Sequence, residues 1–211
     1  MNPRLCARLL SAAVLALSCQ LALGASTTPT RIVSTSPSVT GILLAMDAPL
    51  VASAATTPSR LTDERGFFSQ WAEVARQRGV AVLYRNLQFD IEAVIAADPD
   101  LLVVSATGAD SVVAHRSELQ AQGLETLVVD YSNQSWQDIA TALGQRTGLE
   151  QQARAAIQRF DQYTAQTAAR ITPPPGPVSV VGYNIAGSYS IGRLNSCLLY
   201  TSPSPRDQRG S

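Results

Sequence analysis

The chain contains no lysine: all sixteen of its basic side chains are arginine. Sixteen acidic residues balance them, so the formal net charge is zero and no long-range field draws the chain to nucleic acid or to an anionic membrane. Histidine occurs once, at His115, and cysteine only at Cys6, Cys19 and Cys197, close to the two ends. The body between them therefore has no disulfide staple, no His/Cys metal cluster and no Cys-His nucleophile. It must be held by its core alone. With 45% hydrophobic and 15% charged residues, the composition is that of a folded globular chain rather than a disordered one.

The two ends read differently from the middle. Arg4 and Arg8 make a positive start, Leu9 to Leu17 an apolar run, and Ala22-Leu23-Gly24 a small-residue cleavage site, so 1–24 reads as a secretory signal. The apolar run, with Ser11 and Ser18 in or beside it, is too short for a membrane span. Ala16-Leu17-Ser18-Cys19 is an alternative, degenerate acylation site at Cys19, but it lacks the usual leucine three residues before the cysteine; soluble export to the periplasm is the preferred reading. At the other end, Cys197 to Asp207 matches in order the translation of a transposase-based sequencing adapter. Residues 197–211 are accordingly expected to be a non-native tail, with native sequence stopping near Asn195.

Between residues 30 and 148, short apolar β-branched runs alternate with helical patterns. Strands are predicted at Arg31–Ser34, Pro49–Ala52, Val80–Tyr84, Leu101–Val104 and Thr126–Asp130. Helices are predicted at Thr40–Met46, Phe67–Arg78, Ile91–Ala97, Ser111–Gln122 and from Ser135 to about Arg146. Asp90 and Ser135 serve as N-caps and Gly123 as a helix stop. In Phe67–Arg78 the spacing puts Phe67, Trp71, Val74 and Ala75 on one face. Strict β/α alternation with continuous apolar strands implies an α/β lobe with a Rossmann-like parallel sheet covered on both faces. A single long helix over 149–172 follows, carrying Ala153, Ala156, Ile157, Phe160 and Tyr163 at helical spacing. It stops at Pro173-Pro174-Pro175-Gly176-Pro177. From Val178 a further strand and a new βα unit are expected, so 178–195 reads as the start of a second, truncated lobe.

The order of lobe, single long helix and first strand of another lobe resembles the periplasmic binding proteins of iron-siderophore, haem and cobalamin importers. In that family two Rossmann-like lobes are joined by one helix. Glu92-Ala-Val-Ile-Ala-Ala-Asp-Pro99-Asp100-Leu-Leu-Val-Val is similar to the family's short helix, Pro-Asp turn and buried strand. Arg31-Ile-Val-Ser-Thr-Ser, Leu43-Leu-Ala-Met-Asp-Ala-Pro, Ala55-Thr-Thr-Pro58, Gln70-Trp71, Ser105-Ala-Thr-Gly108, Asp110-Ser111 and Ser135-Trp136-Gln137 resemble its ferric-enterobactin branch. The likeness runs from about Arg31 to Tyr183. It implies capture of a ferric siderophore, of catecholate type, in the periplasm and delivery to an inner-membrane ABC permease. It further implies a monomer without enzymatic activity, cofactor or nucleic-acid partner. Haem, cobalamin or a hydroxamate siderophore are alternative ligands on the same fold. A small exported α/β enzyme is the alternative of another class, disfavoured because no acid, base and nucleophile converge.

In an open parallel sheet, ligands bind beyond the carboxyl ends of the strands. That rule selects Ser36, then Thr56, Thr57 and Arg60, then Tyr84, Arg85 and Asn86, then Thr107 and Gly108, and lastly Tyr131 and Ser132. A trianionic tris-catecholate calls for guanidinium groups and flat side chains, which Arg60, Arg65, Arg85, Tyr84 and Tyr131 supply, with Thr107 beside them. Each also has a plainer reading, as a solvated arginine or a rim tyrosine. Trp71 reads as core and His115 as a surface residue. Gly182-Tyr-Asn-Ile-Ala-Gly187 lacks dinucleotide-binding spacing. No direct metal ligand is expected, because the siderophore retains its iron. The resemblance places Glu92 where family members carry a permease-docking glutamate; the alternative is a first-turn glutamate favoured by the helix dipole.

Overall fold

The computed structural model describes residues 28–172, 175, 181–183 and 189–191. The expected signal at 1–24 and tail at 197–211 lie outside them. Five parallel strands, β1 (Ile32–Ser34), β2 (Leu50–Ser53), β3 (Ala81–Val82), β4 (Leu101–Ser105) and β5 (Thr126–Val129), form one sheet in the order β3-β2-β1-β4-β5. The helices are α1 (Pro37–Ala45), α2 (Ala72–Gln77), α3 (Ile91–Ala96), α4 (Arg116–Ala121), α5 (Trp136–Thr147) and α6 (Glu150–Ala168). The chain steps outward from β1 to β3, then crosses back to lay β4 on the other side of β1. The strand order therefore reverses between β1 and β4.

Alternation along the strands separates two cores. Ile32, Leu101 and Val103 belong to the cluster with Val39, Leu43, Ala75, Ile139, Leu143, Ala153 and Ala156, beneath α1, α2, α5 and α6. Val33, Leu102 and Val104 join Val94 and Leu119, beneath α3 and α4. A strand buried on both faces needs an unbroken apolar run, which is why Leu101-Leu102-Val103-Val104 is legible as a central strand.

Asp90 caps α3 by accepting from the Ala93 N–H at 3.0 Å. Ser135 and Asp138 cap α5 reciprocally in a capping box. Gly123, at φ 74°, follows α4 as expected. Three elements differ from the sequence expectation. The segment from Phe67 enters its helix only at Ala72, because the Asp63 carboxylate accepts the backbone N–H groups of Arg65 and Phe67 and holds a turn there. The buried face is thus Ala72 and Ala75, and Val74 is turned outward at 42% exposure. The region 111–122 is split into a 3₁₀ turn, Val113–His115, and α4. Strand β6 (Val181–Tyr183) pairs antiparallel with β7 (Tyr189–Ile191), a hairpin in place of the expected βα unit.

Helix α6 packs on α5 where Gly144 meets Ala153, and Trp136 crosses Phe160 edge-on at 5.0 Å between ring centres. Beyond Phe160 its apolar stripe is uncovered, with Tyr163 69% exposed.

Candidate functional site

Three strands end in a buried serine: Ser34 on β1, Ser53 on β2 and Ser105 on β4. Each hydroxyl is used locally. Ser34 Oγ donates to the Ser36 carbonyl at 2.9 Å and Ser105 Oγ to the Thr107 carbonyl at 2.6 Å. Ser53 Oγ shares a hydrogen bond of 2.7 Å with Thr40 Oγ1. Serine bonded two residues ahead substitutes for the next ladder bond and turns the chain out of the sheet at a fixed angle. The loops after β1 and β4 are therefore set by the strands beneath them, while Ser53 ties β2 to Thr40 on α1.

At the strand-order reversal those loops converge on Asp110. Its carboxylate is buried, and it accepts from Ser36 Oγ, in the loop after β1, and from Tyr131 Oη at 2.6 Å, in the loop after β5. Among the described residues no cation pairs with it. Burial raises the Tyr131 phenol above its ordinary value, and the Asp110 carboxylate, as acceptor and as charge, raises it further. Gly108, at φ 86°, passes under the same hydroxyl. Thr107 Oγ1 donates to Asp130 at 3.2 Å, tying the loop after β4 to that after β5. Ser132 is exposed, and its hydroxyl donates to Asp130 at 2.6 Å.

The arginines gather at the other end of the carboxyl edge, on the loops after β2 and β3. Arg60 and Arg85 are exposed; Arg85 makes one long bond, 3.4 Å, to the Glu64 carbonyl. Arg65 is differently placed. Its guanidinium bonds Asp63 at 2.8 Å and the Ala72 carbonyl at 2.9 Å, and lies 4.8 Å over the Phe67 ring centre. It organises the loop. Thr57 is exposed, and Thr56 donates its N–H to the Gly66 carbonyl. Tyr84 is only 8% exposed and packs edge-on against Phe89 at 5.9 Å. Burial pushes its phenol far up, helped by the charges of Asp110 and Asp90 and opposed by the Thr35 hydroxyl. Asn86 takes a left-handed turn, φ 57°.

An open apolar depression of about 350 Å³ lies between the first turns of α1 and the loop before α2. Leu61, Phe68 and Trp71 form one side and Pro37, Ser38 and Ile42 the other. Trp71 is both core and wall: it packs against Phe67 in a tilted pair with ring centres 5.0 Å apart, and it also lines the depression. Ser38, one of its walls, lies two residues after Ser36, which bonds Asp110. Glu92 is exposed in the first turn of α3, next to the Asp90 cap. His115 is exposed and stacks on Phe89 at 4.5 Å, 3.3 Å from Glu118. Among the described residues no group of His, Cys, Asp and Glu is arranged to hold a metal.

Sequence reasoning selected Tyr131, Thr107 and Gly108, which the structure brings together, and Arg60 and Arg85, which it places on neighbouring loops. It passed over Asp110 as a site residue and over the serine layer. The signal for the layer was visible, since the strand runs Ile32-Val33-Ser34 and Val103-Val104-Ser105 each end in serine.

A fold with its ligand edge set this way has known relatives. The family model described as periplasmic binding protein matches residues 32–191. The chain belongs to the periplasmic binding protein family. Within that family it is 42% identical over 159 residues to the ferric enterobactin-binding periplasmic protein FepB of Escherichia coli O6:H1 (strain CFT073), a match covering 75% of this chain and 49% of FepB. The crystal structure of holo-ViuP superposes with a TM-score of 0.73 at 42% identity, over 82% of this chain and 57% of that one. The siderophore-binding protein BauB, bound to two molecules of acinetobactin and ferric iron, superposes with a TM-score of 0.55 at 18% identity, a likeness of fold alone. That match covers 79% of this chain and 57% of BauB. The chain thus spans about half the length of the periplasmic binding proteins it matches. Among the described residues, no helix is long and apolar enough to cross a membrane.

Proposed function

We propose that this chain forms one wall of a periplasmic cleft that captures a ferric siderophore, of catecholate type, for delivery to an ABC permease. The observation that carries the reading is the 42% identity to a ferric enterobactin-binding protein across the segment that builds the carboxyl edge. The chemistry of that edge supports it. Arg60 and Arg85 offer exposed guanidinium groups to an anionic ligand, and Tyr131 and Thr107 offer a flat and a polar contact across from them. Arg65 and Tyr84 act from behind, holding the loop and the base of the wall. Glu92, exposed on α3, is the docking point for the permease. In this division, 30–148 is the first lobe, 149–172 the connecting helix and 178–195 the beginning of a second lobe that supplies the opposite wall.

Tryptophan-fluorescence titration of the chain with a ferric tris-catecholate, a ferric trihydroxamate, haem and cobalamin tests the reading. Trp71 lines the depression whose other wall, Pro37 and Ser38, follows directly on Ser36, so a bound chromophore is expected to quench it. Weak but saturable quenching by the catecholate, above the other three, is expected from a single wall. Equal quenching by all four, or preference for another ligand, overturns the catecholate assignment.

A further inference from the structure

Asp110 is a carboxylate 6% exposed, at a strand-order reversal, with two hydroxyls for partners. Those hydroxyls come from the loops after β1 and β5, which lead to α1 and α5 on one face of the sheet, whereas Asp110 sits on the loop after β4, which leads to α4 on the other. In an open sheet such loops diverge and leave a crevice; here one side chain spans it. The span is anchored from below, because Ser111 bridges back to Ser105 at the end of β4.

We propose that Asp110 is the positioning residue of the cleft, bridging Ser36 and Tyr131 so that the Tyr131 ring becomes a fixed wall with its hydroxyl proton directed inward. The inference rests on the siderophore reading for what meets that wall. A phenol has one proton to donate. With that proton donated to Asp110 in a 2.6 Å hydrogen bond, Tyr131 has none for a ligand oxygen. It presents a lone pair, which repels an anionic oxygen, and an aromatic face, which accepts a flat ring. This side of the cleft thus selects for aromatic ligand surface, while charge is met by Arg60 and Arg85. The same bond disfavours a Tyr131 phenolate, so Tyr131 is not set up to ligate iron. Gly108 fits the arrangement: a β-carbon there would fall 1.8 Å from the hydroxyl oxygen, so the loop admits no side chain under Tyr131.

The test uses spectrophotometric titration of the tyrosines and binding of a ferric tris-catecholate, in the full chain and its Y131F, D110N and S36A variants. The difference between wild type and Y131F isolates the titration of Tyr131. D110N is expected to lower that titration by about one pH unit and to weaken catecholate binding about tenfold. In a Y131F background, D110N should weaken binding no further. An unshifted Tyr131 titration in D110N overturns the positioning role whatever the chain binds. If D110N does not fold, S36A and Y131F carry the test, since bridging through one carboxylate makes their losses non-additive and strictly additive losses refute it. Failure of the wild-type chain to bind the catecholate overturns the ligand reading, while the titration, which needs no ligand, still decides whether Asp110 accepts the Tyr131 hydrogen bond.

Discussion

Gly108 lies beneath Tyr131 so closely that a β-carbon built on it falls 1.8 Å from the tyrosine hydroxyl oxygen and 2.8 Å from Asp110 Oδ1. Its φ of 86° is a conformation that a side chain strains by about 1 kcal/mol even without a neighbour. Gly108→Ala is therefore expected to lower stability by more than that amount and to push Tyr131 off the carboxylate. Removing the hydroxyl relieves the closest contact, so Gly108→Ala should cost less in a Y131F background. Chemical denaturation of the four proteins measures this. Equal costs in both backgrounds would show that strain in the turn, and not the tyrosine, explains the glycine.

Arg65 and its exposed neighbours Arg60 and Arg85 should separate cleanly. Arg65→Ala takes the guanidinium away from Asp63 and the Ala72 carbonyl, and removes the cation over Phe67. The guanidinium is partly exposed, so the expected loss is about 1 kcal/mol rather than the larger figure for a buried charged bond. Arg60→Ala and Arg85→Ala should leave stability unchanged and weaken binding of an anionic ferric catecholate, with a salt dependence that the wild type shows more steeply. Denaturation midpoints and binding titrations at two ionic strengths distinguish the two kinds of arginine.

The contrast among these arginines also marks where sequence reading stops. The βα alternation was legible because a strand buried on both faces must be apolar throughout, as in Leu101 to Val104, and because Asp90, Gly123 and Ser135 punctuate the helices locally. Whether an arginine is free or held depends on where Asp63 and the Ala72 carbonyl sit, a matter of loop geometry that spacing does not encode. The late start of α2 has the same origin: helical spacing from Phe67 is present, but the Asp63 side chain captures the backbone N–H groups first. Asp110 was invisible for a further reason. A carboxylate in a polar loop reads as solvated, and its burial arises only when the loops after β1, β4 and β5 meet.

Helix α6 is seated on α5 through a close approach at Gly144. A β-carbon there would come 2.9 Å from the Ala153 β-carbon and 3.1 Å from the Glu150 α-carbon. Alanine normally gains about 1 kcal/mol over glycine inside a helix. Overpacking against backbone costs about 1–3 kcal/mol, because main-chain atoms cannot rotate aside. The second effect should win, so Gly144→Ala is expected to destabilise the chain and loosen the Trp136–Phe160 contact. Thermal denaturation together with Trp136 emission checks both. A stabilised variant would mean that α6 is free to shift.

Asp130 sets the acid limit of the loop that carries Tyr131. The Ser132 hydroxyl at 2.6 Å, the Asn133 amide at 2.8 Å and the Ser132 N–H at 3.0 Å hold its carboxyl down to about 2, from an ordinary 3.8. With the folded value below the unfolded one, the unfolded chain binds more protons between those two values, and stability rises with pH across that interval. The contribution of Asp130 is therefore complete above about pH 4 and is lost as pH falls toward about 2. Asp130→Asn should flatten this part of the acid limb of a stability–pH profile and leave the neutral-to-alkaline shape alone. It should also weaken the hold on Thr107, whose hydroxyl donates to Asp130 Oδ1 and would meet a neutral amide instead, so ligand binding at neutral pH is expected to weaken even where the fold persists. An unchanged acid limb in the variant would mean that these side-chain bonds to the Asp130 carboxylate do not persist in solution.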